Sequence, residues 1–155
     1  MTPSPDSRRR WLRTAAATGV AALLASCSMV PTAPPPPGAK VSQASTAREY
    51  RRDAASHLYA LNSARIYRGV MPPMLYAIGV LQVDIDRRGQ VGQLKWLRAP
   101  SHAPEVMQQI ERLVRAAAPY PVPARLGTVT YTDTWLWDQS GRFQLDTLTE
   151  GQQSM

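Results

Sequence analysis

Residues 75–123 constrain the fold of this chain more than any other stretch. Leu81, Val83 and Ile85 alternate with Gln82, Asp84 and Asp86, which is the period of a half-buried strand. Asp86-Arg87-Arg88-Gly89 then breaks the run, and Leu94 and Trp96 alternate with Gln93 and Lys95 beyond it. Two alternating runs around a short Gly-containing break predict an antiparallel hairpin. The period then changes. Val106, Ile110, Leu113, Val114 and Ala117 fall on one face of a helix. Pro104 suits its first turn and Glu105 suits the positive end of its dipole. Pro119-Tyr120-Pro121-Val122-Pro123 stops that helix, because proline lacks an N–H and clashes with the preceding turn.

The flanks extend the pattern. Thr46-x-x-Glu49 is a capping box and predicts a helix to about Arg68, with Tyr50, Ala54, Leu58, Leu61 and Ala64 toward the sheet. Arg48, Arg51, Arg52, Arg65 and Arg68 make its other face basic. A solvated face is the simplest expectation for these arginines, and anionic headgroups or peptidoglycan are the other. Residues 128–137, TVTYTDTWLW, read as a strand rich in β-branched and aromatic side chains. Val129, Tyr131, Asp133, Trp135 and Trp137 lie on one of its sides. Asp138-Gln139-Ser140-Gly141 is a turn, and Arg142-Phe143-Gln144-Leu145 alternates again, which predicts a returning fourth strand. The fold class is therefore α+β: two helices on a small antiparallel sheet of three to four strands, in the order α-β-β-α-β-(β).

This order resembles the TonB/TolA C-terminal domain family. The residues that carry the likeness are V-L-Q-V-D-I-D-R-R-G-Q-V (80–91), Ala116-Ala117-Ala118-Pro119-Tyr120-Pro121, and the aromatic strand 129–137. The family's Ser-Gly ahead of the helix and Leu-Asp at its start are replaced here by Pro100-Ser101-His102 and Glu105-Val106. Ser101 is then the expected helix cap. The resemblance implies a module that takes an extended partner segment along the edge of its last strand. That assigns the edge to Thr128, Thr130, Thr132, Thr134 and Leu136. The partner it implies is an envelope protein, such as an outer-membrane receptor or a Tol/Ton-type component. The energy-coupling transmembrane helix of TonB has no counterpart in this sequence.

The first 26 residues read as an address. Ser7-Arg8-Arg9-Arg10-Trp11-Leu12-Arg13 resembles a twin-arginine export start, and general secretion remains the alternative. The apolar run 14–25 is shorter than the ~20 residues a spanning helix needs. Leu24-Ala25-Ser26-Cys27 resembles a bacterial lipobox, which marks Cys27 for lipidation after cleavage. Each buried CH₂ of an acyl chain contributes about 0.8 kcal/mol, so several chains anchor firmly. Ser28 in place of Asp favours the periplasmic face of the outer membrane over the inner membrane. Residues 27–45 then form a lipidated start and a Pro-rich linker in extended polyproline form, 46–148 the domain, and 149–155 a flexible tail.

Composition narrows the function. The formal charge is +7, but nearly half of that excess lies ahead of position 27, so no basic stripe of a nucleic-acid binder emerges. One cysteine permits no internal disulfide. His57 reads as a structural histidine. His102 sits near Ser101 and Glu105, yet sequence neighbours rarely form a triad, which is a three-dimensional arrangement. Asp84 and Asp86 are too few oxygens for a Ca²⁺ cage. The sequence thus predicts a non-enzymatic, cofactor-free and metal-free interaction module, lipid-anchored in a Gram-negative envelope. A lipoprotein enzyme, or a small-ligand or peptidoglycan binder, is the alternative, and a concave polar pocket would distinguish it.

Overall fold

The computed structural model describes residues 40–149. The export segment, Cys27, the proline run and residues 150–155 lie outside the described residues. Eight elements follow one another: β1 (Val41–Ser42), α1 (Ala47–Leu61), β2 (Ala77–Ile85), β3 (Val91–Arg98), α2 (Pro104–Ala116), β4 (Val122–Pro123), β5 (Val129–Trp137) and β6 (Phe143–Leu145). Strands β3-β2-β5-β6 form one antiparallel sheet in that order. The α+β class, the two helices and the four-stranded sheet are as the periodicity predicts.

The hairpin forms where the alternation places it. Leu81, Val83 and Ile85 are buried, and Leu81 stands opposite Trp96 on one side and Asp133 on the other. The turn closes through Gly89 N–H to Asp86 O (3.0 Å), while the Asp86 carboxylate accepts from the amides of Arg88 and Gln90 (2.8 Å each). Gly89 is required twice over. Its φ is +78°, and a Cβ there would stand 2.2 Å from the Tyr120 carbonyl oxygen. The Tyr120 N–H in turn donates to Gly89 O (2.8 Å), so the hairpin tip is tied to the chain leaving α2.

Both helices pack on the face that carries Leu81 and Tyr131. Val106, Ile110 and Val114 of α2 are buried there. Trp96 of β3 is half-buried beneath α2 and donates its indole N–H to Glu111 (2.8 Å). It lies across Gly79, where a Cβ would meet the ring at 2.6 Å. The expected Ser101 cap does not form. Ala103 occupies the cap position without a side-chain bond, because residues 99–103 are folded into a turn through Ser101 N–H to Ala99 O and Ala103 N–H to Pro100 O.

Helix α1 begins on its capping box. Thr46 Oγ1 accepts from Glu49 N–H (3.2 Å), and the Glu49 carboxylate returns to the amide and hydroxyl of Ser45. It ends at Leu61 rather than near Arg68. The Asn62 side chain donates to Leu58 O (2.9 Å) and caps the helix. A 3-10 turn follows at Ser63–Arg65, and the chain then extends so that Tyr67 N–H donates to Phe143 O (2.9 Å). Leu61 and Ala64 are consequently exposed instead of facing the sheet.

Two pairings join distant segments. Val41–Ser42 runs parallel to Val122–Pro123, with Val122 N–H donating to Lys40 O (2.8 Å). Pro121 and Pro123 have no N–H, which keeps this ladder to two residues. The end of the expected linker is thus folded into the domain: Ser42 is buried and its hydroxyl donates to the Asp53 carboxylate. At the other end, β6 returns along β5, with Phe143 in contact with Trp135 (4.9 Å between centroids) and stacked on Trp137 (5.7 Å).

Candidate partner-binding edge

Strand β5 has one complete neighbour and one partial neighbour. Its whole length, Val129 to Trp137, pairs with β2. On the other side only Trp135, Leu136 and Trp137 pair, with Leu145, Gln144 and Phe143. The direction of the backbone groups follows from antiparallel alternation. Asp138 N–H donates to Arg142 O, toward β6, whereas Trp137 O accepts from Tyr76 N–H on the β2 side. Thr130, Thr132, Thr134 and Leu136 therefore aim their N–H and C=O groups away from β2.

These positions have different surroundings. Leu136 lies within the β5–β6 ladder and is buried. Thr134 N–H is taken by the Oδ1 of Asp133 (2.8 Å). Thr128 precedes the strand and donates its N–H to Leu126 O (3.0 Å). Thr130 and Thr132 remain. Among the described residues, no backbone group pairs with them on the outer side. The Thr130 hydroxyl donates to Asp84 across the sheet (2.6 Å). Beyond β6, Ile66 bridges Phe143, and the Gln144 amide donates to the carbonyls of Tyr67 and Gly69 (2.9 and 2.8 Å). The returning strand is thus itself covered, and the β5 edge is open only over residues 129–133.

Asp133 marks the end of the opening. It sits on the core-facing row of β5, 2% exposed, between Tyr131 and Trp135. Its Oδ1 accepts from Thr134 N–H and, at 3.4 Å, from Thr147 N–H in the 3-10 turn Asp146–Leu148. Its Oδ2 is buried without a partner. Burial pushes the carboxyl up to about 6, against the pull of Thr147, Arg51 and the Thr134 amide. The acid was visible in the sequence as a charge at a core parity, a conflict that commonly marks a special position.

The groove beside the open edge is lined by Ala47, Arg48 and Arg51 of α1 and by Thr130, Tyr131 and Thr132 of β5. Tyr131 faces the helices, its ring 6.0 Å from that of Tyr50. Burial holds the phenols of Tyr50, Tyr120 and Tyr131 above their ordinary range. Of the five arginines expected on one basic face, Arg68 lies beyond the end of α1, and so does Arg65, which is diverted. Arg65 lies over the Trp137 ring (5.2 Å) and donates to Gln109 Oε1 and Gly141 O.

The other polar residues singled out in the sequence are held apart. The Nε2–H of His57 donates to Ala117 O (2.8 Å), with Lys40, Asp53 and Ser56 around a shallow depression next to it. The Nε2–H of His102 donates to Tyr76 O, and Tyr76 OH donates to Glu105, whose pKa this bond lowers. Ser101 is not bonded to that histidine. Asp84 and Asp86 are engaged by Thr130 and by the hairpin turn, and no cluster of three or more metal-ligating side chains occurs among the described residues. No described helix is long and apolar enough to cross a membrane. Compared with models of protein families, with curated proteins and with solved structures, the chain matches none.

Proposed function

We propose that this chain is a lipid-anchored adaptor of the Gram-negative envelope, built on a TonB/TolA C-terminal-like domain, that takes an extended partner segment by strand addition. The observation that carries the reading is the outer edge of β5, whose unpaired backbone groups at Thr130 and Thr132 form a template for another strand. The lipobox-like residues ending at Cys27 support placement at the periplasmic face of the outer membrane. The partner is an envelope protein that presents a short extended segment. The work is recognition rather than catalysis, and it requires no cofactor or metal.

Thr132→Pro tests this reading. Proline is tolerated on a strand where the N–H points to solvent. The β2–β5 ladder therefore survives, and only the outward donor is lost. Extended peptides selected on the full chain are expected to protect the amides of Thr130 and Thr132 from exchange, and to lose affinity for the Thr132→Pro protein. Peptides that protect neither amide and bind the proline variant equally well would overturn the proposal.

A further inference from the structure

We infer that the β5 edge selects an acidic partner segment, one whose strand carries carboxylates at alternate positions facing α1. The inference rests on the strand-addition reading and specifies what kind of segment the edge accepts.

The first support is geometric. The opening covers residues 129–133, about 17 Å of strand at roughly 3.4 Å per residue. It forms the floor of a groove of about 420 Å³ whose wall is the first turn and a half of α1. A strand laid there sends every second side chain to the face that Tyr131 occupies, which is the face under α1. The remaining side chains point to the open face of the sheet with Thr130 and Thr132.

The second support is charge. The α1 residues on that wall are Ala47, Arg48 and Arg51. Arg48 is exposed, and the Nε of Arg51 is buried without a hydrogen-bond partner. Glu49, the neighbouring acid, is turned away: its carboxylate is held by the amide and hydroxyl of Ser45 (2.7 and 2.9 Å). Asp84 is on the opposite face of the sheet, bonded to the Thr130 hydroxyl. Asp133, at the closed end of the opening, is buried, and its Oδ1 is taken by the amides of Thr134 and Thr147. No acid lines the groove itself, and the one acid that attracts the wall is Asp133, which acts on Arg51 and leaves Arg48 unmatched among the described residues. The positive end of the α1 dipole adds to the same field.

The third support is spacing. Residues three apart on a helix stand ~5–6 Å apart at Cβ, and alternate residues of a strand are ~6.8 Å apart. Arg48 and Arg51 thus match two carboxylates at positions i and i+2 of an added strand. Adjacent acids would not match, since one of the two would point to the far face.

The test uses the full chain and three fluorescein-labelled hexapeptides of alternating threonine. The alternate positions hold glutamate in the first, glutamine in the second and lysine in the third. Anisotropy at low salt should show the glutamate peptide binding roughly tenfold tighter than the glutamine peptide and the lysine peptide weakest, with the advantage collapsing at high salt. Arg48→Glu alters only an exposed side chain, so its melting curve should match wild type while its preference moves to the lysine peptide. Glutamate and glutamine peptides of equal affinity that both protect Thr130 and Thr132 would overturn acid selection and leave strand addition standing. No peptide protecting those amides would remove both. If instead the full chain binds phosphatidylglycerol vesicles through Arg48 and peptide preference is unchanged by Arg48→Glu, the arginines serve a lipid surface and the inference fails.

Discussion

Replacing Asp133 by Asn alters one atom of a buried carboxyl group and keeps the rest of its geometry. Oδ1 still accepts from the amides of Thr134 and Thr147. The new Nδ2 stands where Oδ2 is unpartnered, in the neighbourhood of the Thr147 hydroxyl, which is also unpartnered. The wild-type carboxyl is raised from 3.8 to about 6, first by burial, with Thr147 and Arg51 acting in the opposite sense. Between these two values the native state holds a proton that the unfolded chain has released. The stabilisation from this proton is complete below about 3.8 and is lost as pH rises through about 6. The full difference is on the order of 3 kcal/mol. Glu49, Glu105 and Asp138 are held below their usual range by hydrogen bonds, so their stabilisation is lost only at more acidic pH. Urea unfolding of both proteins, followed by tryptophan fluorescence from pH 4.5 to 8, isolates the Asp133 contribution as a difference. Asp133→Asn should gain about 2–3 kcal/mol over wild type at pH 7, and the gap should close toward pH 4.5. A variant less stable than wild type at pH 7, with the gap widening as pH rises, would show that attraction to Arg51 outweighs desolvation.

Gly89→Ala should cost about 2–4 kcal/mol in urea, since left-handed φ and the Tyr120 carbonyl both oppose a methyl group. Gly141→Ala, at φ +79° with open space around it, should cost only about 1–2 kcal/mol, and equal losses would refute the role of the Tyr120 contact. Phe143→Ala should cost about 3–5 kcal/mol and diminish the near-ultraviolet dichroism of Trp135 and Trp137, because the ring is fully buried against both. Cys27→Ser in a Gram-negative host should yield an unprocessed precursor that takes up no labelled palmitate; cleavage at the same place would dismiss the lipobox assignment.

What the sequence determined by itself is local and periodic. Alternation with a Gly turn sufficed for the β2–β3 hairpin, because side-chain parity in a half-buried strand is set by neighbours two residues away. Helical spacing and the proline stop sufficed for α2, and the capping box for the start of α1. Parity also placed Thr130 and Thr132 on one side of β5 and Asp133 on the other. The tertiary structure decided where local signals compete. Apolar spacing past Asn62 favoured a longer helix, but the Asn62 cap and the need to cover β6 with Ile66 and Tyr67 end it at Leu61. That ending turns Arg65 away from the basic face and onto Trp137, leaving Arg48 and Arg51 beside the edge. No local pattern foretells that Val41–Ser42 would pair with a strand 81 residues on, since β4 offers so few donors that its partner is set by proximity alone. The extent of the opening is likewise a long-range outcome. The turn at Gly141 and the renewed alternation announce a returning strand, but only the packing of Phe143 against two tryptophans, and the turn at Asp146–Leu148 held by Asp133, fix where its coverage of β5 stops.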